Sequence, residues 1–539
     1  MSLINKKLMD LPEIPEDQRT PLSDHLLEII FAHKEHIQLQ NEIIQGLKDE
    51  IARLKGEKPK PKIKPSNLGK KPKPDEDNGQ GNIKAKRPGS KKKRKKLEIH
   101  KTVIVAPENI PKGSQFKGHE DYFVQDLLIQ PYNVRYRLER WVTPSGQSII
   151  GQIPEGVRQG HFGNILIGYI LYQYYHCMVT QPLLLEGLLE MGIDISSGQI
   201  NNILIEGKES FHLEKEDILS AGLEVSDYVN VDDTGARHKG RNGYCTHIGN
   251  ELFAWFASTE SKSRINFLTL LRGKQADYVI NQDALDYMQA HKLPKKILQS
   301  LDELEEKNLP DQQAWESMLS RLGITTKRHV QIVTEGALLG SILEHGLNED
   351  IVILSDDAGQ FNVFLHALCW IHAERTINKL VGFNEQQRDA LNSIKDQLWT
   401  LYDDLKAYKE NPSPKQKEDL TQRFDQLFTT KTCFASLNQA LERIYKNKSE
   451  LLLVLRRPEI PLHNNLSEND IREYVKRRKI SGGTRSDLGR KARDTFVSLK
   501  KTCRKHGISF WEYLQDRLSG KMKIPRLGDW IRRKAKVPG

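Results

Sequence analysis

One stretch, "IVILSDDAGQFNVF" at residues 351–364, constrains this chain more than any other. A short aliphatic run bounded by turn residues reads as a strand buried on both faces. Burying a carboxylate beside such a strand is costly unless the charge is paired, hydrogen-bonded or bound to a cation. The two aspartates at its lip are therefore either solvated turn residues or ligands, and taken alone the stretch favours the solvated reading.

The surrounding residues extend the pattern. "DYVNVDDTG", "GYCTHIGN" and "ELFAWFAST" read as three successive strands, the second and third joined by a Gly-Asn-Glu turn of hairpin type. A helix over "SRINFLTLLRG" and a mostly helical stretch to about Asp350 lead into the quoted strand, which runs on into a helix at "HALCWIHAERTINKLV". Strands in hairpins, then helix, strand and helix, predict an α+β domain with a mixed sheet flanked by helices. Ahead of it, "PLLLEGLLEMGIDISSGQINNILI" places two amphipathic helices around Gly192, with Ser196 or Ser197 able to cap the second. A helix-turn-helix and a plain packing hairpin both fit, because the second helix carries no basic residue. Residues 100 to about 157 alternate polar and apolar side chains, as in "DYFVQDLLIQ", and suggest a small β module.

The N-terminal part differs in kind. Over residues 22 to about 55, Ile30, Ile37, Ile44 and Ile51 recur every seven positions with Leu26, Leu47 and Leu54 at the matching d sites, the seam of a parallel coiled-coil dimer. An amphipathic helix packed on its own protein is the alternative, and the polar linker that follows favours the coiled coil. From Lys58 to Lys96 there are 14 Lys and 2 Arg against three acidic residues, an excess of 13 that exceeds the whole chain's +11. Such a segment cannot fold on its own and favours polyanions, nucleic acid above all. The remaining residues are nearly neutral. No run is long and apolar enough for a membrane span and no signal peptide is evident, so a cytoplasmic protein is expected. Cys177, Cys245, Cys369, Cys433 and Cys503 form no C-x-x-C pair, which argues against a zinc ribbon or disulfide scaffold.

Three acidic sites stand at expected element ends. Asp232 and Asp233 close the first strand, Asp356 and Asp357 the later one, and Glu468 opens a helix over "NNLSENDIREYVKRRK". Hard divalent cations take such oxygen ligands, and two-metal phosphoryl transfer needs carboxylates converging from separate elements. On the third element Glu468, Arg472, Lys476 and Lys479 recur at three- or four-residue spacing, so one face carries a carboxylate and then a ladder of cations. An ordinary solvated helix has the same pattern. Three acidic ends, a basic helix and a polycationic linker together favour a nuclease-like site.

With these residues in view, the chain resembles the DDE transposases of the insertion-sequence-66 type. The resemblance rests on "DDT" at Asp232–Thr234, "DDAGQF" at Asp356–Phe361, "CWIHAER" at Cys369–Arg375 and "HNNLSEN" at His463–Asn469, in that order. It implies an RNase-H-like catalytic core with a large helical insertion, and it makes Asp232, Asp356 and Glu468 the catalytic, metal-binding triad for two Mg²⁺ ions, for which Mn²⁺ can substitute. His372, Arg375, Asp233 and Asn465 take supporting places. Arg472, Lys476, Arg477, Arg478, Lys479 and Arg485 are expected on the DNA backbone, with Lys91, Lys92, Lys93 and Arg94 of the linker. The domains are then a coiled coil over 1–56, a basic linker over 57–99, the β module over 100–158, a helical module over 159–222, the core over 223–515 and a basic tail over 516–539. The implied activity is cleavage at mobile-element ends and strand transfer of 3′-hydroxyls into target DNA, by at least a dimer, with accessory proteins encoded nearby and no membrane partner. A DNA-binding architectural protein with an inactive core and a metal-dependent nuclease without strand transfer stay open as alternatives. The chain departs from the family pattern in lacking a cysteine-rich zinc module over 100–157 and in carrying His463 before Asn464.

Overall fold

The structure, a computed structural model, describes residues 98–154, 160–382 and 384–535. The expected coiled coil and the linker cations Lys91 to Arg94 lie outside the described residues. The chain divides into two units between Glu120 and Asp121. In the first unit the described residues, from Glu98 onward, carry neither helix nor strand.

In the second unit, β1 (Arg140–Val142) and β2 (Ser148–Ile150) form a small antiparallel hairpin, the regular structure of the region expected as a β module. A helical layer follows: α1 (Asn164–Leu171), α2 (Gln181–Glu190), α3 (Ser197–Ile205) and α4 (Glu209–Val225). Gly192 turns the chain between α2 and α3 at a φ of 80°, a region open to glycine without steric cost. Ser196 caps α3 in a reciprocal capping box with Gln199.

The central sheet has the order β5-β4-β3-β8-β9. β3 (Tyr228–His238), β4 (Arg241–Gly249) and β5 (Ala254–Thr259) form an antiparallel meander. Between β5 and the rest of the sheet strands come α5 (Arg264–Arg272), the short pair β6 (Tyr278–Val279) and β7 (Asn308–Leu309), and the helices α6 (Gln282–Ala290), α7 (Lys295–Asp302), α8 (Gln312–Arg321) and α9 (Lys327–Glu344). β8 (Val352–Ser355) then pairs in parallel with β3, and β9 (Leu365–Leu368) in parallel with β8. The fold is thus mixed α+β, a five-stranded mixed sheet flanked by helices.

Two expectations are corrected by this topology. Asp232 and Asp233 do not close β3, which continues to His238 because its pairing with β4 runs on after the pairing with β8 stops at Asn230. The helix expected from "HALC" onward begins only at Trp370, because Leu365–Leu368 lie on β8 as an edge strand. His366 is fixed there between Ser355 Oγ (2.8 Å) and Glu450 Oε1 (2.8 Å).

After β9 come α10 (Trp370–Asn378), α11 (Glu385–Glu410), α12 (Pro414–Thr429) and α13 (Ala435–Lys446), and then α14 (Asn465–Ser481), α15 (Asp487–Lys505), α16 (Phe510–Leu518) and α17 (Leu527–Ala535). The main core lies between the sheet face carrying Val229, Val231 and Ile248 and the helices α4, α5 and α9. The other face is covered by α14, with Ile471 and Tyr474 packed on Ala236, Cys245 and Phe256. The region expected as a basic tail is partly helical: in α17, Leu527 and Ile531 are buried in the core.

Candidate active site

Side chains alternate across a strand, so consecutive aspartates of β3 serve opposite faces. Asp232 stands opposite His247 on the face covered by α14, where Asn230 and Ala236 also lie. Asp233 stands opposite Thr246 on the other face, where its carboxylate accepts from Thr246 Oγ1 (2.5 Å) and from Gln360 Nε2 (3.0 Å). Because β8 runs parallel to β3 and ends at Ser355, Asp356 emerges beside the point where β3 loses that neighbour. Glu468 sits in the first turn of α14.

The structure brings these three carboxylates into one electrostatic neighbourhood. Burial, followed by repulsion from Asp356 and a smaller contribution from Glu468, pushes the Asp232 carboxyl up to about 7. The Asp233 amide works the other way by donating to Asp232 Oδ1 at 2.7 Å. Among the described residues Asp356 Oδ1 is buried without a hydrogen-bond partner, an expensive state for an acceptor. Glu468, by contrast, is held by a cation: Arg375 Nη1 and Nη2 donate to its two oxygens at 3.1 and 3.4 Å. His372 Nε2 lies 3.7 Å from Glu468 Oε1 and 3.0 Å from Arg375 Nη1. Burial and then the Arg375 charge hold the His372 imidazole below its ordinary value. Among the described residues no three His, Cys, Asp or Glu side chains stand together as a ready metal-holding group.

One residue that sequence reasoning passed over organises this geometry. The sequence reading singles out Asn465; the clasp is its neighbour Asn464, whose side chain is wholly buried. Asn464 Nδ2 donates to the Val231 carbonyl (2.7 Å), its Oδ1 accepts from Asn230 Nδ2 (2.9 Å), and its amide reaches Cys369 Sγ (3.2 Å). The Cys369 amide in turn donates to the Ser355 carbonyl at 3.0 Å. Asn464 therefore ties the start of α14 to the residue before Asp232 and, through Cys369, to the residue before Asp356. A second anchor lies deeper along the helix: buried His247 bonds Ser467 Oγ through Nδ1 (2.7 Å), and its Nε2 lies 3.3 Å from Asp470. Asn464, Ser467, Asp470, Tyr474 and Arg478 recur every three or four residues, so a stripe of inward-facing polar side chains was available as a signal in the sequence.

The expected DNA-contacting cations divide between two faces. Arg472, Lys476, Lys479 and Arg485 are exposed. Arg477 is buried, stacked on the Tyr174 ring at 3.8 Å and donating to the Tyr174 carbonyl at 2.8 Å. Arg478 turns to the sheet and donates to Thr234 Oγ1 (3.3 Å) and the Gly235 carbonyl.

The region from β8 to α15 that carries this arrangement is also the one recognised by family comparison. Residues 342–492 match the model described as Transposase IS66 family. An uncharacterized protein, y4jO, of Sinorhizobium fredii (strain NBRC 101917 / NGR234) is 45% identical over 303 residues, covering 56% of this chain and 94% of that protein. The chain belongs to the IS66 transposase family. A member of a transposase family is by class a DNA-processing enzyme. In this IS66-family chain the matched residues include Asp356, His372, Arg375, Glu468 and the cations of α14, while Asp232 on β3 lies before them. Among the described residues no helix is long and apolar enough to cross a membrane.

Proposed function

We propose that the chain is a DDE transposase that cuts DNA at the ends of a mobile element and transfers the freed 3′-hydroxyls into target DNA. The observation that carries this reading is the electrostatic strain at Asp232. A carboxyl pushed up to about 7 by burial and by Asp356, beside a buried carboxylate oxygen without a partner, is a pair built to receive positive charge. The donor set is all oxygen, which fits Mg²⁺ or Mn²⁺. The strand order, a three-stranded meander extended by two parallel strands with α14 laid across one face, supports an RNase-H-like core.

In this reading Asp232 and Asp356 would hold the ions, with Glu468 as the third carboxylate once freed from Arg375. When bound there, divalent ions would supply polarisation of the scissile phosphate and activation of the attacking water or hydroxyl. Arg375, released from Glu468, is placed to neutralise a phosphate oxygen by a bidentate contact. His372, kept neutral by its surroundings, remains beside the pair as a hydrogen-bonding ring. Asp233, spent on Thr246 and Gln360, orients the loop after Asp356 rather than binding an ion. Arg472, Lys476, Lys479 and Arg485 hold the backbone; Arg477 is left out, being used inside the protein. Synapsis of two ends needs at least two protomers, for which the heptad seam over residues 22–55 is the proposed contact.

The test is an assay of a labelled DNA end with Mg²⁺ or Mn²⁺, scored for nicked and joined products. The parent yields both, and Asp356→Asn lowers both by on the order of 10³-fold or more. Cutting that survives this substitution overturns the assignment, and nicking without joining makes the protein a nuclease.

A further inference from the structure

The tip of the β3–β4 hairpin is built in an unusual way. His238 pairs with Arg241, leaving Lys239 and Gly240 as a two-residue loop with φ of 47° and 77°. Positive φ at both central positions defines the type I′ turn, where Asn or Gly is the ordinary first residue. A lysine there is strained, and such strain persists where surrounding structure enforces it.

The enforcing structure comes from about 245 residues downstream. Thr484 lies alongside the hairpin: its amide donates to the Arg237 carbonyl (2.9 Å) and its carbonyl accepts from the Lys239 amide (2.8 Å). His238 bonds Thr484 Oγ1 (2.8 Å) and Asp487 Oδ1 (3.0 Å), and Lys239 pairs with Asp487. The approach is close enough that a Cβ on Gly483 would stand 2.3 Å from the Arg237 carbonyl oxygen. The segment after α14 is thus pinned to the hairpin.

This docking gathers cations. Arg237, Lys239, Arg241 and Arg485 are all exposed, and Arg490 and Lys491 follow in the first turns of α15. Asp487 is the acid within the cluster, and it is shared by His238, Lys239 and Arg490. Among the described residues the Arg241 and Arg485 side chains have no hydrogen bond or ion pair, and Arg237 spends only Nε, on the Gly240 carbonyl. Three guanidinium groups are left facing solvent. The ridge also lies on the strand that carries Asp232: five residues further along an extended chain is about 17 Å, or roughly five base-pair steps.

Resting on the reading proposed above, we propose that the β3–β4 hairpin tip and the pinned 482–487 segment form one rigid basic ridge that grips the phosphate backbone of duplex DNA beside the cut. Arg237, Arg241 and Arg485 make the contacts, and Thr484 and Asp487 hold the ridge in shape. Contacts of this kind position the duplex without reading its sequence.

The test uses the full chain carrying Asp356→Asn, so that no DNA is cut, and a 30-base-pair duplex of arbitrary sequence titrated at several KCl concentrations. Adding Arg237→Gln, Arg241→Gln and Arg485→Gln lowers the magnitude of the slope of log affinity against log salt by about 2 to 3, roughly 0.9 for each phosphate left without its cation, with an unchanged thermal midpoint. Gly483→Ala removes no charge, yet weakens binding several-fold by forcing the two segments apart. A slope within about 0.5 of the parent's, or full affinity in Gly483→Ala, overturns the proposal. Because binding is read without chemistry, this outcome is independent of the cleavage assay.

Discussion

Asp232 and Asn464 show how single side chains set the site's energetics. The Asp232 carboxyl is raised from its ordinary range to about 7 by burial and by Asp356. Between about pH 4 and about 7 the folded protein therefore keeps a proton that the unfolded chain has released, and this group's contribution to stability falls as the pH rises through that window. Asp232→Asn removes the cost. In metal-free buffer it is expected to be more stable than the parent at pH 8 by on the order of 1–2 kcal/mol, and close to it at pH 4, while DNA cleavage is lost. Urea midpoints at the two pH values decide the point, and a variant weaker than the parent at pH 8 contradicts the burial argument. Asn464 has the opposite sign. Asn464→Ala strands Asn230 Nδ2 and the Val231 carbonyl in a buried site, costing about 2–4 kcal/mol. Because Asn230 and Asn464 share one bond, Asn230→Ala and Asn464→Ala together should cost less than the sum of the two alone by about 1 kcal/mol; strict additivity would refute the clasp.

Among the elements, α14 is held to α15 by charge, and to the sheet by packing and by the His247 side chain. Burial works to raise the Asp470 carboxyl, but His247 and Lys505 overcome it and hold it well below the usual carboxylate range. A depressed carboxylate contributes stability that is present above its unfolded value and lost as the pH falls through its folded one. Asp470→Asn should therefore cost about 2–4 kcal/mol at neutral pH and flatten the acid limb of a stability-versus-pH curve, measured by denaturant titration. The same helix shows what a linear sequence conveys. The meander β3–β5 was legible, since alternating apolar residues and the Gly-Asn-Glu turn are local signals. The position of Asp232 within β3 was not, because the strand's length depends on β4 continuing after β8 stops. β9 was missed for a related reason: "LHAL" has no strand signature of its own and is extended through its pairing with β8. Along α14, Arg472, Lys476 and Lys479 share the outer face as their spacing predicts, whereas Arg477 is placed by an aromatic ring about 300 residues upstream.

At the scale of the whole molecule, the charge distribution separates attraction from positioning. The excess of 13 cations between Lys58 and Lys96 exceeds the net charge of +11, so the other residues together sum to slightly negative. On the function proposed above, long-range attraction of DNA would belong to the linker, because the nearly neutral remainder of the chain carries little net field beyond a Debye length. The cations of α14 and of the hairpin ridge would then act only at contact. These two roles predict different kinetics. Replacing Lys91, Lys92, Lys93 and Arg94 by Gln should slow association with duplex DNA by about tenfold or more at low salt and leave dissociation nearly unchanged, since steering charges act on encounter. Substitutions at Arg237, Arg241 and Arg485 should instead speed dissociation. Stopped-flow association and competitor-chase dissociation on the same duplex separate the two. If neutralising the linker left the association rate and its salt dependence untouched, DNA would be reaching the site through the field of the folded part, and the division of labour argued from the charge distribution would fail.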